Sequence, residues 1–283
     1  MTAVARTRSA LEAARAGWAA AGESVAVVMT MGALHAGHAE LIRRAREGDE
    51  RIIVTDFLNP LQFAPGEDLD KYPRTFAADL ELCTAEGVDL LFAPGPSEVY
   101  PAGDPIVRVA AGPVGDVLEG AARPGHFDGV LTVVAKLLHL TAPHRAYFGQ
   151  KDAQQLWLIK QMVIDLDLPA EVVEVPTVRD DDGLALSSRN IYLVDADRDQ
   201  ALTLHRALAA GESAAVNGAT AVVEAAQAQL TASGVKSDYV VLVDPENFTA
   251  MNGPGPAILL VAAHVGSTRL IDNVRLSVGA HQE

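Results

Sequence analysis

An open, doubly wound α/β sheet followed by a smaller α+β unit is the architecture the sequence predicts, and three observations predict it. Short β-branched runs alternate with stretches of helical periodicity up to about Val175, the pattern of parallel βαβ units. Those runs are largely apolar without a polar face, as befits strands covered on both sides. After about Val178 the texture changes to a long Ala-rich helical stretch and then three apolar strands.

Each element can be justified in order. Residues 1–24, amphipathic and Ala-rich with Arg6, Arg8 and Arg15, lack the continuous apolar centre of a signal peptide and read as a first helix. Residues 25–30 (VAVVMT), bounded by Gly22 and Gly32, form a strand, and residues 38–46 set Leu41, Ile42 and Ala45 at helical spacing. The alternation continues with a strand over 51–58, part of a helix over 79–86, a strand over 88–92 and a helix over 130–140. It ends with strand 145–148, helix 153–164 and strand 171–175. Residues 195–230 are mostly helical, and 238–243, 257–265 and 268–276 look like strands. The predicted division is 1–177 and 178–283, with no long linker, so the two units are expected to pack closely. Ligands of an open parallel sheet sit at the carboxyl ends of its strands, so the loops after Thr30, Leu58, Phe148 and Val175 should converge on one crevice.

Composition narrows the function. A chain of 283 residues, 49% hydrophobic and 21% charged, is long enough for a core with a ligand cleft. Its net charge of −15 argues against nucleic acid as a partner, because that affinity comes from Lys and Arg displacing counterions. A small anionic ligand in a local basic pocket stays compatible with the charge. The single Cys83 excludes an internal disulfide and a multi-cysteine metal site, and a reducing cytoplasm is the simplest setting. The longest apolar stretch, 257–265, is far short of the ~20 residues of a membrane span.

Four loops carry the chemistry. The first, Thr30 to His38, contains His35-Ala36-Gly37-His38. Two imidazoles flanking a helix start can face a bound phosphate beside free N–H groups and the positive end of the dipole, and Gly37 allows close approach of a nucleotide. Two incidental loop histidines, or a metal pair, would read the same way. The second loop runs through Phe57-Leu58-Asn59-Pro60-Leu61-Gln62-Phe63 to Lys71-Tyr72-Pro73-Arg74-Thr75. Gln62 can donate and accept together, which suits a carboxylate beside a hydroxyl, although Asn-Pro is by itself more often a turn. In the third, Gly149-Gln150-Lys151-Asp152-Ala153-Gln154-Gln155, Lys151 could neutralise phosphoryl charge and Asp152 could accept from ribose hydroxyls. Gln155 would follow one turn later on the same side. Alone, that Lys-Asp pair would be a solvated surface feature. The fourth, Val175 to Arg179 and Gly183 to Asn190, holds Ser187-Ser188-Arg189, a compact clamp for a polyphosphate.

Taken together and in this order, HxGH, FLNPLQF with KYPRT, RPGHFDGV (residues 123–130), FGQKDAQQ, VPTVRDDDGLALSSRN and STRLIDN (267–273) resemble the pantothenate synthetases, a family of the HxGH nucleotidyltransferase superfamily. The resemblance covers nearly the whole chain. It implies a Rossmann-like N-terminal domain, a smaller C-terminal lid domain, ATP with Mg2+, and a homodimer without a membrane partner. It also implies that His35, His38, Lys151, Ser187, Ser188 and Arg189 serve the ATP phosphates and the adenylation transition state. Gly37, Asp152 and Val178 would hold the adenosine, with Met31, Gly149 and Leu186 beside the nucleotide. Gln62, Gln155 and Asn59 would grip the hydroxy acid against Met31, Phe57, Val133 and Val134. No residue is assigned as a metal ligand. The sequence departs from the family pattern at Met29 (usually Pro), Ala36 (Glu), Asp56 (apolar), Gln150 (Glu) and Ala153 (Tyr).

The reaction so implied is attack of the pantoate carboxylate on the α-phosphate, loss of pyrophosphate, and then attack by the amine of β-alanine with release of AMP. No protein nucleophile is needed, which makes Cys83 a buried helix residue. A paralogue with another acid or amine, a plain nucleotidyltransferase and a silent binding protein are the rival readings. The intact Lys151 and Ser-Ser-Arg weigh against silence, and the pair Gln62 and Gln155 against the plain nucleotidyltransferase.

Overall fold

The structure, a computed structural model, describes residues 1–48, 50–64 and 66–279. The chain divides into two compact units, Met1–Gly149 with Gln154–Pro176, and Gln150–Ala153 with Thr177–Glu283. The first unit runs β1 (Ala3–Ala5), α1 (Arg8–Ala20), β2 (Val25–Thr30), α2 (Ala36–Arg46), β3 (Arg51–Asp56), α3 (Phe76–Ala85) and β4 (Leu90–Phe92). It continues through two short helices, α4 (Pro96–Val99) and α5 (Glu119–Ala122), to α6 (His126–Thr141), β5 (Arg145–Gly149), α7 (Ala153–Asp165) and β6 (Glu171–Val175).

Its six strands are all parallel in the order β1-β4-β3-β2-β5-β6. Period-two alternation sorts their side chains onto two faces. Val25, Val27, Ile53, Leu90, Phe92 and Phe148 join a core that includes Leu11 of α1 and residues of α6 and α7, among them Leu137 and Ile159. Ala26, Val28, Ile52, Val54 and Leu91 face the other way, with Leu41, Ile42 and Ala45 of α2 and Cys83 of α3. Strands buried on both faces carry no polar alternation, which is why they read as unbroken apolar runs. From β2 the chain steps outward through β3 and β4, then crosses to β5 and β6 on the other side. The direction of winding therefore reverses between β2 and β5, where the crevice of a doubly wound sheet lies. Register aligns Thr30 with Asp56, Val28 with Tyr147 and Gly149 with Val175, so the four predicted loops leave the same edge of the sheet.

The expected strands 51–58 and 88–92 are shorter, ending at Asp56 and beginning at Leu90, and three further details differ from the sequence reading. Residues 3–5, expected in the first helix, form the edge strand β1 on β4, and the helix begins only after Thr7, whose Oγ1 accepts the Ala10 N–H at 3.2 Å. Helix α6 starts at His126 rather than Val130 and contains Gly129, where a Cβ would collide with the backbone of Leu61 and Gln62. The turn 150–153, expected with the first unit, packs with the second.

The second unit holds α8 (Asp195–Ser213), α9 (Ala219–Ala232) and the antiparallel sheet β7 (Ser237–Val243), β8 (Gly255–Val265), β9 (Thr268–Val278) in that order. Leu204, Leu208, Val222 and Leu230 of the helices pack on Leu259 and Val261, and Ala201, Ala207 and Ala226 are small enough to keep these elements close. The Arg179 guanidinium forks onto buried Asp272 of β9, donating at 2.6 and 2.9 Å, and also reaches the carbonyls of Gly183 and Asn273. Next along β9, the Asn273 amide donates to the carbonyls of Gln150 (2.9 Å) and Lys151 (2.8 Å), which ties the 150–153 turn to this sheet. No helix among the described residues is long and apolar enough to cross a membrane.

Removing the guanidinium strands a buried carboxylate. Arg179→Ala is expected to cost the second unit about 3 kcal/mol. Both tryptophans, Trp18 and Trp157, lie in the first unit, so urea unfolding followed by circular dichroism is the suitable reading. A loss under about 1 kcal/mol, as for an exposed pair, would refute the clamp.

Candidate active site

The chain leaves β2 through Gly32 (φ 80°) and Ala33 (φ 52°), two successive left-handed residues, before α2 begins. A Cβ on Gly32 would lie 2.6 Å from Asp56 Oδ1, so a larger residue there would have to displace that carboxylate as well as adopt a positive φ. The turn is tied down from α3. Asp79, 2% exposed, accepts the N–H groups of Ala33 at 3.1 Å and Leu34 at 2.7 Å, and the Thr75 hydroxyl lies 3.1 and 3.2 Å from its two oxygens.

His35 is then the N-cap of α2. Its Nδ1 accepts the Gly37 N–H at 3.1 Å, while His38 Nδ1 accepts the His35 N–H at 3.2 Å, a capping box built from two imidazoles. A ring nitrogen that accepts carries no proton, so this pattern assigns both rings to the neutral Nε2–H form. The rings lie 4.1 Å apart, tilted by 44°. Two neutral N–H donors and the positive end of an eleven-residue helix are thereby brought together.

The second loop forms the adjoining corner of the first unit. Gln62, 8% exposed, accepts from Asn59 Nδ2 at 3.0 Å, and its Nε2 donates to Met31 Sδ at 3.0 Å. A thioether is a weak acceptor, so an oxygen-rich ligand would readily take over that N–H. Asn59, expected on the substrate, is 1% exposed and fully engaged. Its amide donates to Gln62 and to the Gly129 carbonyl, and accepts from the Tyr100 hydroxyl (2.8 Å) and the Leu61 N–H. Its amide thereby holds the Gln62 side chain in place. The RPGHF residues hold the same spot, since the Gln62 carbonyl receives Arg123 Nη2 at 3.2 Å and lies 2.8 Å from His126 Nδ1, and Arg123 is itself paired with Glu67. Phe57, Val133 and Val134 are buried in the core beneath, with Phe57 edge-on to Tyr100. On α7, Gln154 is buried and binds the Val114 and Val117 carbonyls and the Glu119 N–H, whereas Gln155 is only half-buried.

In the second unit Lys151 is half-buried, its Nζ 3.4 Å from Asp152 Oδ1, and its carbonyl is fixed by Asn273. The fourth loop is a short hairpin in which Leu186 N–H meets the Val178 carbonyl at 3.0 Å. Ser187 ends it by capping the 3-10 turn Ser188–Tyr192 through the Arg189 N–H at 3.3 Å. Arg198 stiffens the approach by pairing with Asp180 (2.7 Å) and Asp182 (2.8 Å). Asn190 Oδ1 is buried there without a donor.

Sequence reasoning missed Asp79, Thr75 and Tyr100 as supports of these loops. Only KYPRT pointed near them, and it ends at Thr75. Cys83 is fully buried in α3, where burial, with Asp79 and Asp56 adding, pushes its thiol up to about 12 and removes it from nucleophilic chemistry.

A family model described as pantoate-beta-alanine ligase matches residues 3–275. Pantothenate synthetase 4 of Frankia alni is 58% identical over 252 residues, covering 89% of this chain and 82% of the relative. The crystal structure of pantothenate synthetase from Thermus thermophilus superposes with a TM-score of 0.91 at 45% identity, over 96% of this chain and 99% of that one. Pantoate-beta-alanine ligase from Francisella tularensis, complexed with β,γ-ATP and β-alanine, gives 0.81 at 32% identity, over 97% of each chain.

Asp56, the departure at the end of β3, falls on the α2/α3 face against Gly32 and away from Phe57. Burial raises its pKa from 3.8 to about 6, the Asp79 carboxylate adds to the rise and Arg6 opposes it. The folded state thus holds this proton more tightly than the unfolded chain. Stability referred to Asp56 is full below pH 3.8 and is lost as pH rises through about 6. Relative to Asp56→Asn, the protein should lose about 1–2 kcal/mol between pH 4 and pH 6.5, after allowance for solvent screening. Denaturation curves of both proteins across that range check it, and a constant difference would contradict the assignment.

Proposed function

The chain belongs to the pantoate–β-alanine ligases, enzymes that join pantoate to β-alanine, and we propose that it does so through a pantoyl-adenylate made from ATP. The observation that carries this reading is the double imidazole cap of α2, which presents neutral Nε2–H donors at a helix N-terminus. Such donors can meet phosphate charge through Nε2–H while each Nδ1 goes on accepting a backbone N–H.

In the first unit, His35 and His38 bind phosphate oxygens and Gly37 lets the nucleotide lie against the backbone. Gln62 leaves the Met31 sulfur to donate to pantoate, Gln155 takes the other side of the acid, and Phe57, Val133 and Val134 back its dimethyl group. In the second unit, Lys151, Ser187, Ser188 and Arg189 neutralise the charge that grows as pyrophosphate departs. Asp152, Val178, Leu186 and the neighbouring Gly149 serve the nucleoside. Magnesium fits as the ion of Mg–ATP. The ATP phosphates would supply oxygen ligands to it.

The pantoate carboxylate oxygen attacks the α-phosphorus and the bond to pyrophosphate breaks. The amine of β-alanine then attacks the acyl carbon, loses a proton, and AMP leaves with the oxygen that pantoate brought. No side chain enters a covalent bond, so catalysis is placement and charge stabilisation. A buried Cys83 and the lack of a disulfide suit a cytoplasmic enzyme, and the family resemblance supports a homodimer. Asp56 faces away from Phe57, which favours pantoate over a more polar acid.

Lys151→Ala should lower pantoate-dependent exchange of pyrophosphate into ATP by ~100-fold or more while the protein stays folded. Exchange at a near-normal rate would remove Lys151 from the chemistry.

A further inference from the structure

The reading of His35 and His38 as phosphate donors leaves open what holds them, and the loop alone cannot. Gly32 and Ala33 are both left-handed, a conformation that alanine disfavours, and between β2 and the cap the chain has no repeating hydrogen bonds of its own. Beyond the Gly32 N–H on Thr30 Oγ1 at 3.2 Å, it has a buried carboxylate 45 residues away. The two oxygens of Asp79 take the successive N–H groups of Ala33 and Leu34, one each. The next N–H, that of His35, goes to His38 Nδ1, and His35 Nδ1 takes that of Gly37. The run is continuous: where Asp79 fixes Leu34, the His35 N–H points at one imidazole and the His35 ring caps the helix. Asp79 lies in the first turn of α3, where the dipole favours a negative charge, and Thr75 supplies a hydroxyl one turn before it. Asp56 closes the far side of Gly32.

We propose that Asp79, supported by Thr75, is the positioning residue that sets the two imidazoles for ATP. The proposal rests on the phosphate reading of those histidines. It is specific to a carboxylate, because only that group offers an acceptor to both N–H groups. An amide of the same shape would turn an N–H2 toward one of them, while relieving the charge repulsion with Asp56 that could otherwise obscure the effect on folding.

Three variants of the full chain separate the outcomes. His38→Ala tests the phosphate reading itself, and if its pyrophosphate exchange stays near normal, that reading fails whatever Asp79 does. With His38→Ala inactive, Asp79→Asn is expected to lower kcat for pantoate-dependent exchange by about 10-fold or more, since small misplacement of a donor is costly. KM for pantoate should stay within about twofold, because Gln62 is held by Asn59, Arg123 and His126. The 15N signals of the His35 and His38 rings should move away from the neutral Nε2–H pattern, which a general loss of stability would not produce. An Asp79→Asn protein with kcat within twofold of the parent and unmoved ring signals overturns the proposal. Should Asp79→Asn not fold, Thr75→Val alters an exposed residue and weakens the same support. It is expected to shift the ring signals in the same direction with a loss of about 2–5-fold in kcat, and the absence of both overturns the proposal equally.

Discussion

The buried carboxylate of Asp79 meets the N–H groups of Ala33 and Leu34, and the path of the chain out of the central strand follows from that contact. The winding of the sheet reverses beside β2, so the loop that follows it borders the crevice whatever its sequence. What the sequence decides is the shape of the loop. A glycine whose Cβ would crowd Asp56, an alanine held left-handed and two histidines whose rings take the N–H groups of Gly37 and His35 shape the strand end into a fixed turn. The sheet supplies rigidity, α3 supplies the anchor, and the chemistry is left to groups that need not change their covalent state.

The same division of labour recurs around Gln62 and Lys151. Gln62 is enclosed by Asn59, Arg123, His126 and a glycine of α6 too close to admit a methyl group, so its amide is placed by backbone and by buried polar side chains. Lys151 sits in a turn whose carbonyls are bound by Asn273, next to Asp272 in the grip of Arg179. Precision comes from polar contacts buried behind each functional group, where loss of one partner is expensive because water cannot replace it.

Much of this could be read from the sequence. Apolar strands alternating with helices revealed the parallel sheet because burial on both faces leaves no other pattern, and the motif residues fell at strand ends because parallel sheets bind there. The misses have physical causes. Three residues of β1 carry no detectable period, and Ala-Val-Ala before an Ala-rich helix looks like its beginning. Gly129 inside α6 looks like a turn until Leu61 is seen against it. Gln154 and Gln155 are equivalent in sequence, and only the helix shows that one is spent on the 114–119 segment. Asp79 resembles any acid in a first helical turn, because its partners lie far away in the chain and the backbone N–H groups it binds leave no mark on residue type.

The central claim is that the pantoate carboxylate becomes bound to the α-phosphorus of ATP. Pantoate labelled with 18O in its carboxylate tests it most directly, with the products separated after complete conversion with β-alanine. The account predicts one 18O in the phosphate of AMP and none in pyrophosphate. Label in inorganic phosphate alongside ADP, or AMP free of label, would contradict it.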